Sequence, residues 1–153
     1  MAATSLFLVR EALHDLYGAA LASVGVELLP AVPTEAEDVS ERVLAWWSNE
    51  VDVTAQPYTM PNGLVENYQQ LLVIKVLPAD SDVTATDAQA EATQLLDLVY
   101  DTARANRRPL SNQDWDAVVE WGGFVHLAAR LEQPAGFAAG FEVRLNVEAT
   151  RCS

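Results

Sequence analysis

The sequence predicts one α+β domain, a single mixed or antiparallel sheet with two main helices packed on it. Three observations predict this. First, Phe141, Val143, Leu145, Val147 and Ala149 alternate without a break against Glu142, Arg144, Asn146, Glu148 and Thr150. That period of two specifies a half-buried strand. Second, Ala88, Ala92, Leu95, Leu96, Val99 and Ala103 fall on one stripe at helical spacing. Third, runs of strand-like segments are broken by single helices, which favours one sheet with helices on one face. At 153 residues the chain fits one domain, residues 1–153, and can bury a core without metal or disulfide help.

From the N-terminus, Thr4 or Ser5 can cap a first helix whose apolar stripe is Leu6, Val9, Leu13, Leu16 and Ala20, with Gly25 as its stop. Val26–Leu29 reads as a short strand closed by Pro30 and Pro33, and Thr34–Glu41 as acidic and exposed. Val43–Val53 favours a strand beginning near Leu44; a short helix from Thr34 to about Trp46 is the alternative. Pro57, Pro61 and Asn62-Gly63 make Gln56–Gly63 a long loop. Glu66–Leu77 is a strand, apolar on both faces at Leu71–Ile74 and therefore central, and Pro78 ends it. Thr86 and Gln89 have the spacing of a capping box before the second helix, and Asp87 suits its dipole. Arg104, Arg107 and Arg108 lie at or beyond its end, where cations are favoured, and Pro109 stops it. Ala117–Trp121 is a strand, Gly122-Gly123 a turn or bulge, and Phe124–Leu131 its continuation. Gln133–Gly136 turns the chain into the last strand.

Charge and chemistry exclude several function classes. Nine Lys and Arg stand against 22 Asp and Glu, for a net charge of −13. Such a chain is not expected to hold DNA by neutralising phosphates. Its charge serves solubility or a surface that repels nucleic acid. Cys152 is the lone cysteine, so no internal disulfide is expected. No apolar run suits a membrane helix, and the N-terminus lacks the pattern of a secretory signal. His14 and His126 have no partner at metal-ligand spacing. Asp80, Asp82, Thr84 and Asp87 resemble part of a calcium loop that lacks its glycine and distal glutamate, so helix capping explains them better. Glu35, Glu37, Asp38 and Glu41 read as a solvated face. There is no glycine-rich phosphate loop and no Gly-x-Ser-x-Gly elbow. These absences predict neither a cofactor, a metal site nor a catalytic residue.

The aromatic residues point elsewhere. On an alternating strand one of Trp46 and Trp47 must leave the core, and an exposed tryptophan often anchors an interface. The stretch Gln56–Asn67 that follows carries Tyr58, Met60 and Leu64, more apolar surface than a solvent loop needs. Trp46, Trp47, Tyr58, Met60 and Leu64 are therefore the candidate interface residues.

Three pieces in order carry a family resemblance. Glu66-Asn67-Tyr68 leads into the apolar strand Leu71–Val76. The alanine-rich helix Ala88–Tyr100, with Leu95-Leu96-Asp97 at its centre, follows a short acidic loop. The alternating strand Phe141–Arg151 comes last. In layout the chain resembles the tail terminator proteins of long-tailed bacteriophages, especially those of actinobacterial hosts. The likeness runs from about Ser5 to Arg151; Thr34–Gly63 departs from it, with more acid and a longer loop. The resemblance implies a tail-tube-like fold and a structural virion protein without enzyme chemistry or cofactor. It implies a homo-hexameric ring that caps the tail tube, stops its polymerisation and joins the tail to the head connector. The partners it implies are the major tail tube protein and a head–tail connector or neck protein. DNA would pass through the lumen without specific binding, and no membrane would be involved. The location it implies is the head-proximal end of the virion tail, after assembly in the host cytoplasm. A head completion protein, or a tail-tube-like minor protein, shares this texture. A small α/β enzyme or ligand-binding domain is the reading from another class.

Overall fold

The first helix, α1, spans Leu6–Ala22. The computed structural model describes residues 3–31, 43–48, 50–57, 63–76, 85–131 and 136–151, and for 56, 57, 85, 86, 127–131 and 136–138 the backbone only. At the start of α1 the Thr4 hydroxyl oxygen accepts from the Leu6 N–H at 3.2 Å. Ser5 holds the N-cap position without capping through its side chain. At the other end Val26 N–H donates to Leu21 O and Gly25 N–H to Ala22 O, both at 3.0 Å. This is a Schellman closure, and Gly25 supplies the positive φ of 78° that it requires. Val26 and Leu21, the pair that such a closure brings together, are both buried. The fully buried row of α1 is Val9, Leu13, Tyr17 and Leu21. Tyr17 and Leu21 therefore replace Leu16 and Ala20 of the expected stripe, because the helix lays an i, i+4 row against the sheet and leaves Leu6 and Leu16 at its border.

Seven strands form one mixed sheet: β1 Leu28–Leu29, β2 Val43–Trp47, β3 Thr54–Pro57, β4 Leu64–Val76, β5 Leu110–Ser111, β6 Trp115–Leu131 and β7 Gly136–Arg151. Their order is β1-β2-β4-β7-β6-β5, with β3 also on β4. β1 and β2 are parallel, and every other pair is antiparallel. β4 and β7 pair along their length, from Leu64 opposite Arg151 to Val76 opposite Ala139. The far edge of β4 is shared: β2 covers Leu72–Val76 and β3 covers Leu64–Asn67. With neighbours on both sides β4 is central, as its two-faced apolar run predicts.

Several boundaries differ from expectation. β3 takes in Gln56 and Pro57, which were expected in a loop. Proline is tolerated there because it ends a strand on an outer edge, where no N–H is needed. β7 begins at Gly136 rather than Phe141, since pairing with β6 starts at Leu131 opposite Gly136. β6 is one strand, bulged between Trp121 and Phe124, with Gly123 at φ 88°. β2 is a strand, not the end of a helix; Thr34–Glu41 and Asp80–Thr84 lie outside the described residues.

The second helix, α2, spans Ala85–Ala105. It begins before Thr86, so that residue lies in the first turn and not at an N-cap. Asp87 sits in the first turn and Arg104 in the last, as the helix dipole favours. Ala88, Ala92, Leu95, Val99 and Ala103 are buried. Both helices lie on the sheet face that carries Leu72, Ile74, Val143, Leu145 and Val147, and the core fills the space between. The opposite face has no helix among the described residues.

Candidate functional site

On the helix face, a polar cluster interrupts the apolar core. Glu66 and Ser5 are 3% and 0% exposed. One Glu66 carboxylate oxygen accepts from the Ser5 N–H at 2.7 Å and from the Ser5 hydroxyl at 2.6 Å. The Ser5 oxygen also lies 2.9 Å from the Tyr68 hydroxyl. A sheet carboxylate thus satisfies the start of α1, where a helix has unpaired N–H groups and attracts negative charge. One turn on, Arg10 donates to the Gln70 side-chain oxygen at 2.7 Å and to the Ser48 carbonyl at 3.1 Å. Its guanidinium stacks 5.3 Å from the Trp47 ring centre. Burial lowers the Arg10 pKa, although Tyr68 opposes this, and burial pushes the Tyr68 phenol up to about 12. A hydroxyl between a carboxylate and a phenol is a catalytic combination in outline. Here it is sealed inside the chain, and its bonds clamp α1 to β4.

The helix-free face mixes apolar residues, among them Trp46, Val73, Val118 and Val125, with polar ones. β4 presents Asn67, Gln69 and Lys75 there, β7 presents Glu142, Arg144, Asn146 and Glu148, and β6 presents Asp116 and Glu120. Gln69 donates to the Asn146 side-chain oxygen at 2.7 Å. Asn146 reaches over Gly122, where a side-chain carbon would lie 2.8 Å from its nitrogen. Arg107 pairs with Glu120, and Arg108 with Asp116 at 3.3 Å. An open hollow of about 490 Å³ runs from Glu50 and Asp52 across Asn67 and Gln69 to Asn146. Among the described residues no three of His, Cys, Asp and Glu converge as metal ligands. No helix among them is long and apolar enough to cross a membrane.

An exposed aromatic cluster sits where the β6–β7 hairpin runs past α2. Tyr100 meets Trp121 edge-on at 5.1 Å, and Phe124 meets Phe141 edge-on at 5.2 Å. Trp121 and Phe124 are 6.3 Å apart, and the His126 ring lies 5.6 Å from Phe141. Tyr100, Phe124 and Val125 are 39%, 47% and 37% exposed. Beside them runs an open sheet edge. β5 covers β6 only at Asp116 and Ala117, and Arg107 O takes the Val119 N–H at 2.7 Å. From Glu120 onward no described strand pairs with that edge.

Of the candidate interface residues, Trp47 is 0% exposed. Its indole N–H donates to His14 Nδ1 at 3.2 Å, and its ring meets Tyr17 edge-on. Trp47 is thus a core residue and Trp46 is the outward one, opposite Val73, with the Lys75 amine 5.8 Å from its ring centre. Leu64 is half-buried against the core. Tyr58 and Met60 lie outside the described residues. The cluster around Phe124 was not singled out from sequence. Its signal was available: a run from Trp121 to Leu131 with no Asp or Glu in a chain that holds 22 of them.

No protein-family model matches the chain, and no curated protein is significantly similar to it.

Proposed function

We propose that the protein is a structural virion component, a tail terminator of a long-tailed bacteriophage. In this reading, six copies form a ring on the last ring of the tail tube, stop its growth and present a surface to the head connector. The observation that carries the reading is the sheet's one-sided packing: both helices cover one face, while no described helix covers the other, which carries carboxylates and amides along β4, β6 and β7. A helix-free sheet face lined with amides suits the wall of a channel through which DNA slides. The acids on that face are balanced by Lys75, Arg144 and the Arg107 and Arg108 ion pairs, so the face offers no unopposed basic patch to hold phosphates, and the chain's net charge of −13 disfavours DNA binding. The segments that carry the family resemblance also form one unit, since β4 and β7 pair directly and α2 packs on both.

The test is the mass of the purified chain in solution across concentration, with and without tail tubes, followed by negative-stain imaging. The expected result is a six-fold ring with an open centre, free or at tube ends. A monomer that does not bind tube ends sinks the proposal. A ring of different order that binds a portal favours a neck protein instead.

A further inference from the structure

We infer that the groove between the end of α1 and the middle of α2 is a docking site for a basic amphipathic segment of another protein. The groove has a volume of about 470 Å³ and is formed within one chain, so its use does not require a ring. Val26, Leu95 and Leu98 make its apolar base. Val24 stands beside them, 55% exposed. The closure of α1 explains that exposure: Val26 turns back onto Leu21, and Val24 is left facing solvent. The closure needs the positive φ of Gly25 and a buried residue after it, but no apolar side chain at position 24.

Carboxylates border the apolar strip. Glu91, Asp97 and Asp101 line the groove, and no Lys or Arg does so among the described residues. Asp97 and Asp101 are exposed. Steps of four and three residues set Glu91, Leu95, Leu98 and Asp101 in one row along α2. An apolar strip with an acidic border is complementary to a helix that carries one or two large apolar side chains flanked by Lys or Arg. Its volume is that of a small-ligand site, enough for a few anchoring side chains. A second copy of this chain is a poor occupant, because most of its nine cations are already engaged. Arg10 binds Gln70, Lys75 and Arg104 lie over Trp46 and Tyr100, and Arg107 and Arg108 pair with Glu120 and Asp116. A basic partner is drawn to the chain as a whole and held where charge and apolar surface coincide.

Fluorescence anisotropy of the full chain at physiological salt tests this. The probes are a labelled synthetic helix of Leu and Lys, a Leu–Glu helix of the same pattern, and a Lys–Ser peptide of the same charge. The expected result is saturable one-to-one binding of the Leu–Lys helix alone. Asp97→Asn/Asp101→Asn should weaken it about tenfold, and Val24→Ser about threefold. Glu11→Gln/Asp15→Asn removes two exposed carboxylates from the outer row of α1 and should leave binding unmoved. Melting midpoints matching the parent show that the variants fold. Equal weakening by the α1 pair and the groove pair, or equal binding of the Lys–Ser peptide, would overturn the inference in favour of diffuse attraction to an acidic surface. Absence of saturable binding by the Leu–Lys helix would overturn it outright.

Discussion

Replacing Glu66 by Ala should cost the fold about 3 kcal/mol. The number comes from what Ser5 loses. Its N–H and its hydroxyl both donate to one Glu66 oxygen, at 2.7 and 2.6 Å, inside a site that is 0% exposed at Ser5. In the alanine variant the hydroxyl can still turn to Tyr68, but the N–H has no acceptor. One stranded buried donor costs roughly 1–3 kcal/mol, and lost hydrogen bonds to a charged group add to it. A carboxylate at a helix start is worth about 0.3–1 kcal/mol more. Glu66→Gln keeps an acceptor oxygen of the same reach and should cost about 1 kcal/mol, mainly the charge-assisted part. Ser5→Ala should cost about 1 kcal/mol, and the Ser5→Ala/Glu66→Ala pair less than the sum of the singles, because they share a bond. Urea unfolding at neutral pH is the assay. With a slope of roughly 2 kcal/mol per molar urea, the alanine variant's midpoint should fall by about 1.5 M while the slope holds. Equal losses for Glu66→Ala and Glu66→Gln would refute the reasoning, since the Ser5 N–H needs an acceptor that only glutamine retains.

Three further outcomes follow from the same structure. Gly140→Ala should destabilise by about 3 kcal/mol or prevent folding, because a side-chain carbon there would lie 2.3 Å from Ile74 O, a backbone atom held in the β4–β7 ladder; soluble yield and thermal melting report it. Trp47→Ala should cost about 3–5 kcal/mol and Trp46→Ala under half of that, because only Trp47 is in the core; similar melting midpoints for the two would contradict the assignment of faces. Stability should fall as pH rises from about 10 toward 12: Tyr68 is pushed up to about 12 from an ordinary 10.0, so the folded chain keeps a proton that the unfolded chain releases. Its contribution is complete below pH 10, and urea midpoints across this range should decline less steeply in Tyr68→Phe.

How far the sequence was legible depends on whether a residue's environment is local. The alternation of β7 and the stripe of α2 are local, and both elements form where the pattern puts them. The bulge at Gly122-Gly123 could be read because glycine pairs in a strand have few other uses. Tyr17 and Leu21 are not marked as the core row by sequence, since α1 has apolar residues on two adjacent sides and only docking selects one. β3 escaped notice because four residues ending in proline carry too little pattern. The buried polar cluster was the least legible. Glu66 and Gln70 occupy inward positions on β4, yet Glu66-Asn67 and Gln69-Gln70 look polar on both faces. What makes them tolerable inside are Ser5 and Arg10, some 60 residues earlier in the chain, and only the fold reveals those partners. The same holds for Trp46 and Trp47: alternation says that one turns outward, and the pairing of Trp47 with Leu72 decides which.

The arrangement of polar groups also says where an added partner can act without disturbing the fold. α1 is fixed at its start by Glu66, along its length by Val9, Leu13, Tyr17 and Leu21, and at its end by the closure at Gly25. α2 is fixed by its alanine row, whose small side chains bring the helix close to the sheet. The seating of both helices on the sheet is therefore achieved within one chain. What is left incomplete is the helix-free face, the β6 edge from Glu120 onward and the aromatic surface at Phe124, all on elements whose own pairing with β7 is already satisfied. Changes at Glu66, Trp47 or Gly140 should lower stability and, through it, any assembly. Changes at Val125 or Val53, both partly exposed, should leave the melting midpoint of the free chain nearly unmoved.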